Sequence, residues 1–289
     1  MAWYTFLNRW RIIGLRVFRM AFRDVAVAEI NGHRFEIDSS LSLDRELMSR
    51  MEPETDLRFA LQLAQSVGSE DVFLDVGANA GHWTIPMAKL FKSVFAFEPV
   101  PQIYAKLNRN IALNHLSNVS ALQLALSDKD GFATFAVRST YDNFGGLNNG
   151  MGSLVQLDSE ARQELTVPVD TIDLRFASTV DPVGMIKIDV EGAENLVLRG
   201  AQVVLKKHRP IVISEILFRT GESYEKWKSL LERFELFPED YGQFALVSGE
   251  LIHLTESNSS HLDDFNLFSV PLEMSATGHF ETRSDNQVE

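Results

Sequence analysis

The sequence predicts an α/β fold built on a mostly parallel sheet with helices on both faces. Three observations predict it. From residue 71 onward, short apolar runs alternate with stretches of helical periodicity, the one-dimensional form of strand–helix–strand units. The first run, Val72-Phe-Leu-Asp-Val76, leads directly into a glycine turn, Gly77-Ala-Asn-Ala-Gly81. The second run, Val94-Phe-Ala-Phe97, ends in an acid, Glu98, 17 residues after Gly81. In open α/β sheets ligands gather at the carboxyl ends of the strands, and an acid there is how nucleoside-binding folds hold ribose hydroxyls. A nucleoside-bearing small molecule is therefore the first functional expectation.

Residues 1–68 read as a lead-in. Residues 1–23 carry five arginines and no acid, interleaved with Trp3, Tyr4, Phe6, Trp10, Phe18 and Phe22, the composition of a basic amphipathic helix. Residues 25–37 read as two short strands about Asn31-Gly32, a strong hairpin signal. Residues 42–67 read as helical, interrupted at Pro53 and ended by Gly68.

Residues 69–272 form the main domain. A strand at 72–76 is followed by a helix over 81–91, a strand at 93–97, and a helix over 101–114 with Ile103, Leu107 and Ile111 on one face. A third strand covers 119–126, and a β-rich excursion follows at 131–137 and 165–169. A fourth strand, 184–190, precedes a helix running to 207, and a fifth covers 210–216. A helix at 224–234, a hairpin at 244–254 about Ser248-Gly249 and a strand at 266–270 complete the domain. The segment 138–153, rich in Gly and Asn, follows the third strand and is a candidate lid over the carboxyl edge of the sheet. Residues 273–289 are polar and read as a disordered tail.

A formal net charge of -13 argues against a nucleic-acid partner, which needs a basic footprint. The absence of cysteine excludes disulfide and thiolate chemistry and fits a cytoplasmic protein. No run reaches the ~18 uncharged apolar residues that a membrane span needs. Residues 1–23 are instead expected to lie on an anionic membrane surface, or to pack on the domain or a second subunit.

A dinucleotide site wants Gly-x-Gly-x-x-Gly after its first strand. Here the middle glycine position is Asn79 and the third is His82, which counts against an NAD-dependent oxidoreductase. Asp75-Val-Gly-Ala-Asn-Ala-Gly81 instead resembles the first motif of class I methyltransferases. Ile186-Lys-Ile-Asp-Val-Glu-Gly-Ala-Glu194, followed by Val197-Leu-Arg-Gly-Ala201, closely resembles the strand-four signature of the FkbM-type methyltransferase family. Phe97-Glu-Pro99, Ala125-Leu-Ser-Asp-Lys-Asp-Gly131, Val169-Asp-Thr-Ile-Asp173, Pro210 with Glu215, and Asn266-Leu-Phe268 agree with it, so the resemblance spans residues 70–270.

The resemblance implies a Rossmann-like, seven-stranded class I methyltransferase fold and S-adenosylmethionine as cofactor, leaving S-adenosylhomocysteine as product. It implies O-methylation of a sugar, glycan or natural-product hydroxyl. The cofactor residues it implies are Asp75, Gly77, Asn79 and Gly81 at the turn, Glu98 on the ribose, Ser127 and Asp128 at the adenine, and Asp189. A non-catalytic nucleoside-binding or scaffolding module of the same fold is the alternative from another functional class.

A sulfonium is already a good leaving group, so methyl transfer asks mainly for alignment, and a hydroxyl nucleophile also needs a group to take its proton. Lys187, Asp189 and Glu191 alternate along one strand and its end and so share a face. Asp189 is the expected general base. Glu191 and Glu194 flank Gly192 at a helix start, where carboxylates also offset the helix dipole. Lys187 is expected to pair with Asp189 or Glu215 and lower a carboxylate's pKa. Asp189 and Glu215 are also oxygen ligands suited to Mg²⁺, the alternative way to acidify the acceptor. His82 is a candidate for the cofactor carboxylate or the substrate, and Trp83 reads as core.

Overall fold

The computed structural model describes residues 17–19, 25–38, 44, 55–138, 140–141, 147–148, 152–153, 161–216, 223–247, 250–254, 265–275 and 282–283. The lead-in contributes a hairpin of β1 (Val25–Ile30) and β2 (His33–Asp38), with Val17–Arg19 antiparallel to β1. The turn residues Asn31 and Gly32 have φ of 52° and 77°, the two positive angles of a type I′ hairpin turn. Helix α1 (Thr55–Ala64) follows.

The domain then runs through β3 (Val72–Val76), α2 (Thr84–Met87), β4 (Ser93–Phe97), α3 (Pro101–Leu113), β5 (Val119–Leu122) and β6 (Ala125–Leu126). The excursion is β7 (Gly131–Arg138) and β8 (Ala161–Asp170), after which come α4 (Ile172–Phe176), β9 (Val183–Ile188), α5 (Glu194–Arg199), α6 (Gln202–His208) and β10 (Ile211–Ile216). Helix α7 (Ser223–Glu235), β11 (Tyr241–Val247), β12 (Glu250–His253), β13 (Phe265–Pro271) and α8 (Leu272–Ser275) end the fold.

The main sheet has the order β5-β4-β3-β9-β10-β13-β11-β12, with Thr282–Arg283 on its outer edge. Strands β5 to β10 are parallel, and β13 is antiparallel to both β10 and β11. The strand period of two sorts β3 between two cores. Val72, Leu74 and Val76 face Ile186, Ile188 and the helices α5 and α6. Phe73 faces Met185, Ile211, Ile213 and Phe268 beneath α1. Asp75 falls on this second face, opposite Lys187 in register.

Six expectations change. Val17–Arg19 is a paired strand inside the segment expected to be a basic helix. Inside the tail expected to be disordered, α8 continues to Ser275 and Thr282–Arg283 pairs as a strand. Among the described residues the sheet has nine strands where seven were expected, because the 244–254 hairpin supplies β12 and the C-terminal segment pairs onto it. The helix expected over 81–91 is a single turn, α2. Pro86 has no N–H to give the helical ladder, and the chain must return by Ser93 to start β4. The strand expected over 119–126 splits, β5 in the main sheet and β6 pairing in parallel with β8 in a second sheet. The helix expected up to 207 breaks at Gly200, where a Cβ would sit 2.0 Å from the carbonyl oxygen of Ser127. Most of 138–153 and of 1–23 lies outside the described residues; within the first, Thr140–Tyr141 pairs with Leu147–Asn148 and Gly152–Ser153 with β7. No helix among the described residues is long and apolar enough to cross a membrane.

Candidate functional site

The carboxyl ends of β3, β4, β9 and β10 hold the chemistry-bearing side chains. Beyond β3, the amides of Gly77 and Ala78 both donate to the carbonyl of Phe97 at the end of β4, at 3.0 and 2.9 Å. Gly77, Asn79 and Gly81 have φ of 82°, 49° and 93°, so three of five turn residues are left-handed. Asparagine is among the few non-glycine residues that tolerate this, and the Asn79 Oδ1 accepts from the Ala80 amide at 2.7 Å. A Cβ on Gly77 would lie 1.8 Å from the carbonyl oxygen of Asp189. The Asp189 amide in turn donates to Val76 at 2.9 Å. The turn and the end of β9 therefore touch backbone to backbone.

Glu98 is buried beside this turn. Its two oxygens accept from the amides of Asn79 (3.1 Å) and Val100 (2.8 Å). Burial pushes its carboxyl up to about 7, against the two amide hydrogen bonds. Asp75, equally buried, accepts from the Thr84 hydroxyl at 2.5 Å, and burial pushes it up to about 6.

The third group spans β9, β10 and β13. The Lys187 ammonium, with only 3% of its side chain exposed, stands 3.6 Å from Asp189 Oδ2. It donates to Asn266 Oδ1 at 3.0 Å and lies 5.1 Å from the centre of the Trp83 ring. Asn266 Nδ2 donates to Asp56 on α1 at 2.7 Å, which fixes the amide's orientation. Glu215 is pushed up to about 9, first by burial, then by the charge of Asp189 and a side-chain hydrogen bond with it; Lys187 opposes the shift without cancelling it. The lysine thus pairs with Asp189, one of its two expected partners, and does not hold the other, Glu215, ionised, since desolvation and a like charge outweigh one cation. Asp189 itself is 40% exposed and open to a partner.

Glu194 belongs to a different network. Its Oε1 accepts from the amides of Val190 (3.2 Å) and Gly192 (3.0 Å), and its Oε2 pairs with Arg233 at 3.2 Å. Arg233, also buried, donates further to Asn195 Oδ1 (2.8 Å), Ser214 Oγ (3.2 Å) and the Glu215 carbonyl (2.7 Å). Both ends of this pair hold backbone in place. Glu191 is left-handed at φ 56°, and its charge adds a smaller upward push on Glu215 than that of Asp189.

The structure thus brings Asp75, Lys187, Asp189 and Glu215 together, and sets Gly77, Asn79, Gly81 and Glu98 against them. Ser127 and Asp128 form a separate pair, the Ser127 hydroxyl donating to Asp128 at 3.1 Å and its amide to Asp170 at 2.9 Å. His82 packs edge-on against Phe35 of the hairpin, 5.5 Å between ring centres. Sequence reasoning missed Asn110, Arg233 and Asp56, and read Asn266 only as part of a family motif. For Asn110 and Arg233 the available signal was a polar residue on an otherwise apolar helix face, in phase with Leu107 and Leu230.

The buried carboxyls set a pH dependence. A carboxyl held neutral by folding binds a proton that the unfolded chain has released, so its stabilisation is present below about 4.5 and fades as pH rises to the folded value. His33, lowered to about 4 by burial and by Lys89, works the other way, but only up to its ordinary value of 6.5. Between pH 7 and 9 Glu215 dominates, and thermal stability is expected to fall across that window. Calorimetric scans at pH 7 and 9 check this. A fall equally steep in Glu215→Gln would refute the assignment.

A family model described as the methyltransferase FkbM domain matches residues 75–242. The chain is 32% identical to methyltransferase sdnD of Sordaria araneosa, over 46% of this chain and 61% of that protein. It is 28% identical to methyltransferase 1 of Beauveria bassiana, over 45% of this chain and 59% of that one. The match spans roughly three fifths of those two curated relatives. Among solved structures, the FkbM methyltransferase of Methylobacillus flagellatus KT is similar at a TM-score of 0.44 and 16% identity, covering 70% of this chain and 44% of that one. M. jannaschii TYW2, solved in complex with AdoMet, is similar at a TM-score of 0.43 and 16% identity, covering 87% of this chain and 86% of that one.

Proposed function

The chain belongs to the FkbM methyltransferase family, and from that membership we propose that it is an S-adenosylmethionine-dependent O-methyltransferase acting on a hydroxyl of a sugar, glycan or natural product. The observation that supports the reading is the backbone contact between Gly77 and Asp189, which brings the residue proposed to take the hydroxyl proton to the glycine turn.

The residues suit the cofactor. Glu98 spends one lone pair of each oxygen on the amides of Asn79 and Val100, leaving a second on each for a diol such as a ribose. Gly77 to Gly81 would hold the methionine part. When bound, the cofactor supplies an electrophilic methyl on a sulfonium leaving group. Asp189, half-exposed and linked to a protonated Glu215, is the group that accepts the acceptor's hydroxyl proton. Lys187 balances the charge that Asp189 and Glu215 share. For a divalent ion, Asp189 and Glu215 offer only two carboxylates sharing a proton, short of the oxygen shell such ions take. No group of three or more His, Cys, Asp or Glu converges for a metal among the described residues.

Two assays test the proposal. Titration with S-adenosylhomocysteine should show binding; no binding, alongside binding of NAD, would refute the cofactor. Labelled methyl transfer from S-adenosylmethionine into lysate glycan and lipid fractions should mark an O-methyl product. A chain that binds the product yet transfers nothing would be the non-catalytic module. Glu98→Ala removes charge-assisted hydrogen bonds worth about 1.5–3 kcal/mol and should weaken S-adenosylhomocysteine about 10- to 100-fold by calorimetry. An unchanged affinity would remove Glu98 from the site.

A further inference from the structure

The glycine turn is held from a direction that the transfer chemistry does not use. Asn110 on α3 is fully buried, with 0% exposure. Its Nδ2 donates to the carbonyl of Ala80, inside the turn, at 2.8 Å. Its Oδ1 accepts from the amide of Glu36, on the hairpin strand β2, at 2.7 Å. One side-chain amide therefore joins the hairpin to the turn.

The contacts around it run the same way. Asn114, one helical turn on, accepts from the Arg34 amide at 2.9 Å and donates to the Arg34 carbonyl at 2.6 Å, completing the edge of β2 as a further strand would. Arg109 forks onto the Glu36 carboxylate at 2.6 and 2.8 Å. Phe35 meets His82, and Ile85 is buried among Ala28, Ile30, Phe35 and Ile37. The hairpin thus rests on the residues just after the turn and on the helix that braces it. It lies outside the family-matched residues 75–242.

We propose that the hairpin over residues 25–38 is coupled to the methyl-donor site through Asn110: docking of the hairpin holds the Ala80 peptide in its binding conformation, and occupancy of the site holds the hairpin. The coupling rests on the reading of the turn as the cofactor site. Its physical basis is the cost of a buried polar group without a partner. If β2 lifts, Asn110 Oδ1 loses its donor, the amide reorients, and the Ala80 carbonyl is released. The left-handed Asn79 beside it persists only while its surroundings hold it there. Such a coupling is reciprocal by thermodynamic necessity. Asn110 is a positioning residue, since it acts through Ala80.

Hydrogen exchange on the full chain, with and without saturating S-adenosylhomocysteine, tests this. In the wild type the ligand should slow exchange of the Glu36 amide about tenfold, a typical coupling factor. In Asn110→Ala that response should vanish and the Kd should rise about tenfold. A purely structural role would lower the Tm, and the ligand would then slow Glu36 no more than it slows core amides that exchange only through global unfolding. Arg109→Ala, which cuts only the half-exposed fork, serves if Asn110→Ala does not fold; it should raise the Kd about threefold through the same reciprocity. Wild-type binding with no change at Glu36, or unaltered affinity in the variants, overturns the coupling alone. A wild type that binds no S-adenosylhomocysteine overturns the cofactor reading, and the coupling with it.

Discussion

Replacing Asp189 by asparagine is expected to lower kcat about 10²- to 10⁴-fold, the usual contribution of a general base, while S-adenosylhomocysteine affinity holds. The asparagine keeps the shape of the carboxylate and its acceptor for Lys187, but it cannot take up a proton. The backbone of residue 189, which contacts the turn, is untouched. The effect should therefore fall on turnover and spare cofactor binding, a split that an aligning role alone would not give. Steady-state transfer of labelled methyl, with calorimetry on the same preparation, reads both. Turnover at the wild-type level would remove Asp189 from the chemistry. Loss of cofactor affinity in step with turnover would make it a binding residue.

Arg233→Met is expected to cost about 3–5 kcal/mol of stability, the usual penalty for breaking a buried ion pair from one side. Methionine fills most of the volume and leaves Glu194 charged, buried and short of its cation. Asn195, Ser214 and the Glu215 carbonyl lose their donors together. At roughly 2–4 °C per kcal/mol for a chain near this size, the Tm should drop about 10 °C. Adding Glu194→Gln should recover part of the loss by neutralising the stranded charge, while the amide oxygen can still accept from Val190 and Gly192. A single variant as stable as the wild type would show that Glu194 is reached by solvent and that the pair holds little together.

The sheet was legible in sequence because its strands are buried on both faces. The runs at 72–76, 94–97 and 211–216 are too apolar to be anything else, and Asn31-Gly32 permits few turns other than the one observed. The turn was legible because close backbone approach demands glycine, and Glu98 because an acid ending an apolar run stands out. What escaped were contacts between segments distant in the chain. Asn266 meets Lys187 across 79 positions and Asp56 across 210, and no local pattern encodes such a pairing. The break at Gly200 escaped for the same reason, since its cause is the Ser127 carbonyl in another element. The single turn of α2 was a local misreading, because Pro86 stood in the open.

The contact between Gly77 and Asp189 has a consequence for how the chain reaches its native state. Those residues are more than a hundred positions apart, joined through the parallel pairing of β3 and β9. Closing a loop of that length costs about 4 kcal/mol of chain entropy before any contact rewards it, and non-local parallel pairing is slow to form. The β4 and α3 segments can dock on β3 early, and β10 on β9, while the two halves are still apart. Enzymatic activity then appears only with the last long-range step, so regain of methyl transfer during refolding should trail the recovery of secondary structure.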